Sequence, residues 1–108
     1  MTRAVLKNTN ARLDLIETFA YLGNADPRVG DRFFAAVEAT LQKIAEFPEM
    51  GSLCRVMNPK LNGLRRISVR GFKKHQVFYR NEGATIRVVR VLHGSRDIRS
   101  ILAAEDDS

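Results

Sequence analysis

Several chemically reactive side chains lie within the eight residues RVLHGSRD, positions 90–97. His93, Ser95 and Asp97 are the residue types of a hydrolase triad, in which a histidine activates a serine and a carboxylate orients the histidine. Members of such a triad usually come from separate elements, and three side chains within five residues do not easily align. The sequence also lacks the G-x-S-x-G motif of a nucleophile elbow. We therefore do not expect a nucleophilic hydrolase.

The residue types also argue against metal and cofactor chemistry. His75 and His93 are the only histidines and Cys54 is the only cysteine. Neither histidine lies in a zinc-ligand spacing, and the sequence has no phosphate-binding glycine loop or dinucleotide fingerprint. We therefore expect no metal site and no cofactor, and the single cysteine agrees with a reducing compartment.

Positive charge is concentrated in the second half of the chain. Residues 55–99 carry twelve Lys and Arg against two Asp and Glu, residues 1–54 carry six against seven, and residues 100–108 carry none against three. The segment charges of +10, −1 and −3 sum to the net +6 of the chain. This asymmetry predicts an acidic partner, either a nucleic acid or an acidic protein segment. The plainer alternative is a set of solvated cations on exposed strand faces.

The cations occupy predicted strands, in which alternate positions face opposite sides. Arg65, Arg66 and Arg70 therefore cannot all point the same way. Such side chains can hold phosphates and stack bases, and they can equally hold an acidic peptide. The basic set is Arg65, Arg66, Arg70, Lys73, Lys74, Arg80, Arg87, Arg90, Arg96 and Arg99, with Phe72, His75 and Tyr79 among them.

The length of 108 residues fits one domain with one core. Apolar residues make up 44% and charged residues 28%, which is typical of a folded soluble chain. The first residues lack the apolar region of a signal peptide, and no stretch approaches the ~20 apolar residues of a membrane span. We expect a single cytoplasmic domain over residues 1–108 without membrane association.

Two amphipathic helices are predicted in the first half. Apolar residues recur at three- and four-residue spacing over 11–22, with Ile16 and Phe19 in the apolar set. The Asp-Pro pair at 26–27 has the residue types of an N-cap and a first helical position, which predicts a second helix over 27–46. The short break between the helices predicts an antiparallel pair. The long connection over 47–63 that follows is expected to be a packed or functional excursion.

After Gly63 the apolar period changes to two, which predicts strands. Short breaks separate three β-rich stretches, so we expect a three-stranded antiparallel meander. The strand candidates are 64–69, 75–80 and 85–92, with a short N-terminal edge strand at 3–6. Residues expected to face the helices are Ile67, Val69, Val77, Tyr79, Ile86 and Val88. With Asp97 capping a short C-terminal helix, the helix pair and the meander indicate the α+β class.

Six short motifs occur in one order along residues 4 to about 103. They are A-x-x-D-L at 11–15, D-P at 26–27, P-x-x-G at 48–51, L-R-R at 64–66, G-F-x-x-H-x-V-F-Y-R at 71–80 and R-V-L-H-G-x-R-D at 90–97. Each motif is weak alone, but the series resembles that of the ParE toxins of the RelE/ParE superfamily. The resemblance implies a RelE-like fold, with two N-terminal helices packed on one side of an antiparallel sheet.

The resemblance also implies the toxin of a type II toxin–antitoxin pair, of the kind linked to plasmid stabilisation. The implied partner is a cognate antitoxin, either ParD-like or another small acidic-tailed protein. ParE members typically inhibit DNA gyrase, whereas RelE members cleave messenger RNA on the ribosome.

Two positions favour gyrase inhibition over RNA cleavage. When the motifs are aligned, the catalytic strand arginine of RNA-cleaving relatives falls at Gln76 and their terminal tyrosine at Leu102, while Arg96 keeps the matching type. Glutamine lacks the charge and leucine cannot transfer a proton. A ribosome-dependent mRNA endonuclease using His93 and Arg96 is the alternative, and a nucleic-acid-binding module is a third class. Candidate contacts with antitoxin or target are Arg65, Arg66, Arg70, Lys74, Arg90, His93 and Arg96.

Overall fold

A helix pair followed by a strand meander forms the body of the computed structural model, which describes residues 2–106. The helices are α1 (Thr9–Ala25), α2 (Pro27–Glu46) and α3 (Ile98–Ala103). The strands are β1 (Ala4–Lys7), β2 (Ser52–Leu53), β3 (Arg65–Val69), β4 (Phe72–Asn81) and β5 (Thr85–His93), and a 3-10 turn covers Pro59–Leu61. The predicted α+β class is confirmed. Within residues 2–106, none of the helices has the length and apolar composition needed to cross a bilayer.

The strands form one five-stranded sheet in the order β1-β5-β4-β3-β2. β3, β4 and β5 are the antiparallel meander predicted from the sequence. β1 is the predicted edge strand, but it pairs parallel with β5, so the sheet is mixed rather than wholly antiparallel. The sequence around β1 does not indicate this pairing, because β1 and β5 lie far apart in the chain. β2 adds a short antiparallel contact to β3 from within the 47–63 connection.

Local capping signals determine where α2 and α3 begin. The Asp26 carboxylate accepts a hydrogen bond from the backbone N–H two residues on at 3.0 Å, and Pro27 is the first helical residue. The Asp97 carboxylate accepts hydrogen bonds from the N–H and the Oγ–H of Ser100, at 3.4 and 2.8 Å. Both helix starts agree with the sequence-based predictions.

Both faces of the sheet are covered by apolar side chains. The strand residues predicted to face the helices all pack in the cluster under α1 and α2, namely Ile67, Val69, Val77, Tyr79, Ile86 and Val88. A second cluster on the opposite face lies under α3 and the 3-10 turn, and comprises Leu61, Leu64, Phe78, Val89, Leu92 and Leu102. The small α3 thus completes a second core.

The prediction for the apolar face of α1 is partly wrong. Ile16 is 64% exposed and Phe19 is 42% exposed. Phe19 meets Phe34 of α2 edge-on, with ring centroids 6.5 Å apart. The buried residues of α1 are Ala11, which belongs to the predicted apolar set, and Asp14, which does not. A carboxylate therefore faces the core, where it pairs with Arg90 of β5.

The 47–63 connection is packed against the sheet, in agreement with one of the two predicted alternatives. The buried Tyr79 hydroxyl accepts a hydrogen bond from the Gly51 N–H at 2.9 Å and donates one to the Pro48 carbonyl at 2.8 Å. The Arg65 guanidinium donates to the Gly51 carbonyl at 2.6 Å. These three bonds attach the start of the connection to β3 and β4.

Replacing Gly51 with alanine is expected to destabilise the fold. A Cβ at this position lies 2.7 Å from the Tyr79 hydroxyl oxygen and 2.9 Å from the Arg66 carbonyl oxygen, so loop or sheet must shift. Overpacking of this kind lowers the free energy of unfolding by about 1–3 kcal/mol, which urea titration measures. Gly23→Ala in α1 is the matched control, because no atom lies within 4 Å of its Cβ position. Equal stability of the two variants contradicts the packing argument.

Candidate functional site

The strand-to-helix segment 90–97 does not form a hydrolase triad. The Ser95 N–H donates to His93 Nδ1 at 3.0 Å, and Ser95 Oγ lies 2.8 Å from the same nitrogen. Since Nδ1 accepts the backbone bond, the neutral ring carries its proton on Nε2. The Asp97 carboxylate binds Ser100 in α3 instead. The serine–histidine contact is a local turn without a carboxylate that orients the ring.

His75 and His93 line a cleft between α1 and the ends of β4 and β5. Their ring centroids are 4.9 Å apart, and the His75 ring also contacts Phe33 at 5.0 Å. The cleft encloses about 580 Å³, and its lining includes Glu17, Tyr21, His75, His93, Ser95 and Arg96. The structure therefore brings the sequence candidates His93 and Arg96 together. Within the described residues, no group of three or more His, Cys, Asp or Glu is arranged to hold a metal ion.

Acid is expected to destabilise the protein through His75. Burial lowers the pKa of His75, and the neighbouring His93 lowers it further. A histidine with a lower pKa in the folded state binds fewer protons when folded, so stability falls as the pH drops below its unfolded pKa of about 6.5. We expect the free energy of unfolding to decrease between about pH 7 and pH 5, and His75→Phe to flatten that decrease. Urea titrations across this range measure both, and an unchanged slope in the variant contradicts the expectation.

Arg90 belongs to a buried ion-pair cluster. Its Nε and Nη2 donate to the two carboxylate oxygens of Asp14 at 2.7 and 2.8 Å, and its Nη1 donates to Glu105 at 3.0 Å. The Val91 N–H also donates to Asp14, at 2.9 Å. The hydrogen bonds to Asp14 are the largest of the effects that raise the pKa of Arg90. Arg90 thus joins α1, β5 and the C-terminal segment, and its role as a contact with antitoxin or target stays a prediction.

The other basic candidates divide into one anchored residue and a group of exposed ones. Arg65 is directed to the Gly51 carbonyl, whereas its neighbour Arg66 lines a cleft on the opposite face with Gln76 and Ile98. This arrangement confirms that the strand cations do not share one face. Four exposed candidates have side chains without an ion pair in the part of the chain that the structure describes, namely Arg66, Arg70, Lys74 and Arg96.

The positions at which the sequence analysis expects the catalytic residues of RNA-cleaving relatives do not meet in one site. Gln76 donates through Nε2 to Ser68 Oγ at 2.8 Å, on the sheet face away from α1 and α2. Gln76 pairs with Leu92, so His93, one position further along β5, faces the other side of the sheet. Leu102 is 1% exposed and belongs to the core under α3. The sheet therefore separates His93 from the Gln76 position.

A further concave surface, the α2–β3 groove, was not indicated by the sequence. It encloses about 360 Å³, and its lining includes Ala39, Lys43, Met50, Ile67, Ser68 and Arg70. The adjoining connection exposes Phe47, Met50, Leu53 and Met57 by 57%, 46%, 64% and 96%. Large exposed apolar side chains beside an apolar groove favour a protein partner. The one feature of the sequence that indicates this surface is the apolar content of the 47–63 connection, which has neither a helical nor a strand period.

Comparisons with known proteins give one consistent family. Residues 6–98 match the family described as ParE toxin of type II toxin-antitoxin system, parDE. Toxin RelE1 of Caulobacter vibrioides is 32% identical to this chain over 95 residues, which cover 87% of this chain and 96% of that protein.

Two solved structures share the fold. The chromosomal ParDE toxin–antitoxin system from P. aeruginosa contains a chain with a TM-score of 0.66 and 14% identity, and the match covers 85% of this chain and 96% of that one. The RelBE2 toxin–antitoxin complex from Mycobacterium tuberculosis contains one with a TM-score of 0.55 and 24% identity, covering 86% and 99%. The family match and the identity to Toxin RelE1 show that the likeness includes the amino-acid sequence as well as the fold. The chain belongs to the ParE toxin family of type II toxin–antitoxin systems, within the ParE/RelE superfamily.

Proposed function

We propose that this toxin acts by inhibiting DNA gyrase and that a cognate antitoxin neutralises it. The observation that carries the proposal is the buried Leu102 at the position where RNA-cleaving relatives have a proton donor. Cleavage of a phosphodiester needs a group that transfers a proton and a cation that stabilises the added charge. Gln76 and Leu102 provide neither, which favours toxicity by binding over toxicity by catalysis.

An acidic segment of a ParD-like or other small antitoxin is the partner that the charge distribution favours. The segment 55–99 carries a charge of +10, from twelve basic and two acidic residues. Arg66, Arg70, Lys74 and Arg96 are exposed cations whose charges are not neutralised by ion pairs within residues 2–106. The two solved relatives belong to a ParDE toxin–antitoxin system and a RelBE2 toxin–antitoxin complex. We expect the pair to form in the cytoplasm, where gyrase acts.

A supercoiling assay tests the proposed target. Increasing amounts of the purified toxin are added to DNA gyrase, ATP and relaxed plasmid, and we expect a concentration-dependent loss of supercoiled product. Antitoxin mixed with the toxin beforehand is expected to restore supercoiling. His93→Ala removes the acid–base candidate of the alternative function, so inhibition of gyrase that persists in this variant excludes a need for proton transfer by His93. Full supercoiling at a large molar excess of toxin rejects gyrase as the target.

A ribosome-dependent mRNA endonuclease is the second candidate function, and the composition of the cleft favours it. His93, Ser95, Arg96 and Glu17 line that one cleft, and histidine is the side chain that most often transfers protons in catalysis. Under this alternative, a reporter message translated with the toxin is cut, and His93→Ala abolishes the cut. Intact messages during translation remove the alternative.

A further inference from the structure

Exposed cations gather at one end of the sheet. Because β4 runs antiparallel to both neighbours, β3 ends, β4 begins and β5 ends on the same side. The Gly94 N–H donates to the Lys74 carbonyl at 2.7 Å, which joins the turn after β5 to the start of β4. We call the cations of this surface the basic end; they are Arg70, Lys73, Lys74, Arg96 and Arg99, and all are exposed.

A bulge in β4 directs part of the basic end outward. Val69 of β3 pairs with Phe72, but the preceding residue pairs with Gln76, so residues 73–75 of β4 have no partner on β3. Bulges of this kind change the direction in which side chains point. Lys73 and Lys74 are exposed, whereas the next ring, that of His75, packs against the buried helix α2. Since neighbouring strands are about 4.8 Å apart, the turns at β3 and β5 lie about 10 Å from each other.

The basic end has little negative charge of its own. Residues 70–75 and 93–99 carry five Lys and Arg against one Asp, which gives a net charge of +4. That carboxylate, Asp97, accepts hydrogen bonds from Ser100 at the start of α3. The side chains of Lys73, Lys74 and Arg96 form no ion pair with any residue of 2–106. The surface therefore attracts a partner with many negative charges.

The same surface lacks the apolar side chains that anchor a protein or a single strand. Among the described residues, the large exposed apolar side chains all lie outside 70–75 and 93–99. The Phe72 ring meets Phe33 edge-on with centroids 5.2 Å apart, and the His75 and His93 rings contact each other at 4.9 Å. Single-stranded nucleic acids are held by exposed aromatic rings, and protein interfaces by buried apolar anchors. Charge without either feature favours the phosphate backbone of a duplex.

We propose that the basic end binds the phosphate backbone of the duplex DNA on which gyrase acts. The proposal rests on the proposed inhibition of gyrase. Duplex DNA carries one negative charge per about 1.7 Å of its axis, so a surface about 10 Å wide meets several phosphates. Gyrase and its DNA thus hold the toxin together, and the DNA contact is independent of base sequence. An acidic antitoxin segment that covers Lys74 and Arg96 competes with the DNA for the same cations.

A salt series on matched double variants tests the DNA contact. The measurement is the affinity of the purified toxin for a fluorescent 20-base-pair duplex, by anisotropy. We expect Lys74→Gln with Arg96→Gln to weaken binding by about tenfold or more at low salt and to reduce the slope of log affinity against log salt by about two. Arg28→Gln with Arg32→Gln removes two exposed cations from α2 and is the control, with a change below about threefold.

The DNA contact is rejected if the wild type does not bind the duplex at low salt or if the two double variants bind it equally. Tighter binding of a single-stranded RNA of the same length assigns the basic end to RNA and also overturns the proposal.

The supercoiling assay separates this inference from the proposed function. We expect the toxin concentration for half inhibition of gyrase to rise about fivefold or more in Lys74→Gln with Arg96→Gln, and to stay within about twofold in the α2 control. Gyrase inhibition by a wild type that does not bind duplex DNA overturns the DNA contact and leaves gyrase as the target. Duplex binding without inhibition of gyrase overturns the proposed function, and with it the role of this contact.

Discussion

Replacing Asp14 with alanine is expected to lower the free energy of unfolding by about 3–5 kcal/mol. Asp14 accepts three hydrogen bonds, two from the Arg90 guanidinium and one from the Val91 N–H, and its side chain is 6% exposed. Its loss leaves Arg90 only the Glu105 carboxylate and leaves the Val91 N–H without its acceptor. Removing one partner of a buried ion pair is among the costliest defects that a point substitution produces. Urea unfolding at constant pH measures the change.

The triple variant Asp14→Leu, Arg90→Met, Glu105→Gln is the matched control for this prediction. It removes all three charges of the cluster, including that of Glu105, whose side chain is 1% exposed, so part of the lost stability is expected to return. Glu105→Gln, which keeps the hydrogen-bonding shape at the third corner of the cluster, is expected to cost less than Asp14→Ala. A loss below about 1 kcal/mol for Asp14→Ala contradicts a structural role for the cluster.

Reversing the charge of Arg66 or Arg70 is expected to weaken antitoxin binding by about tenfold each at low salt, because each reversal replaces attraction with repulsion. Both guanidinium groups are exposed, so their contribution is screened as ionic strength rises beyond ~0.1 M, where the screening length is about 10 Å. The difference from wild type is therefore expected to shrink at high salt. Dissociation constants of Arg66→Glu and Arg70→Glu across a salt series measure this effect.

Arg32→Glu is the control for the charge reversals. Arg32 is an exposed cation near the N-terminal end of α2 and is not part of the α2–β3 groove lining. The same change in net charge at this position is expected to alter antitoxin affinity by less than about threefold. If Arg32→Glu weakens binding as much as Arg66→Glu, the loss of affinity follows from the net charge of the protein and not from the position of Arg66.

Sequence reasoning succeeds for features whose signals are local. The Asp26–Pro27 pair marks the start of α2 through adjacent residues, and Asp97 marks the start of α3 within one helical turn. The period of two correctly assigns Val77 and Tyr79 to the face under the helices. In each case the residues that form the sequence pattern are the same residues that cap the helix or face the core.

Features built from distant segments escape the same reasoning. The helical period assigns Asp14 to the polar side of α1, yet Asp14 is buried because it pairs with Arg90. This partner lies 76 residues further along the chain, so the sequence near Asp14 does not indicate it. Ile16 and Phe19 fit a helical period but are exposed, because the period alone does not fix which side of α1 faces the sheet. The parallel contact of β1 with β5 likewise has no local determinant.

The candidate site follows the same division. The sequence identifies His93 and Arg96 as residues with chemical potential, and the structure places them in one cleft with Glu17 from α1. The sequence does not reveal the α2–β3 groove, because α2, the 47–63 connection and β3 contribute to the groove from separate parts of the chain. Arg90 has the residue type of a partner contact, and only its buried carboxylate neighbours identify it as part of the fold.

We propose that the toxin stops DNA synthesis through gyrase and does not act by cutting messages. The most direct test of this proposal is a pulse-labelling experiment in growing cells during the first minutes after induction, which compares thymidine incorporation into DNA with methionine incorporation into protein. We expect thymidine incorporation to fall first, with messages intact and with the same order in the His93→Ala variant. An earlier fall in methionine incorporation, accompanied by cleaved messages and abolished by His93→Ala, contradicts gyrase inhibition and identifies the toxin as a ribonuclease.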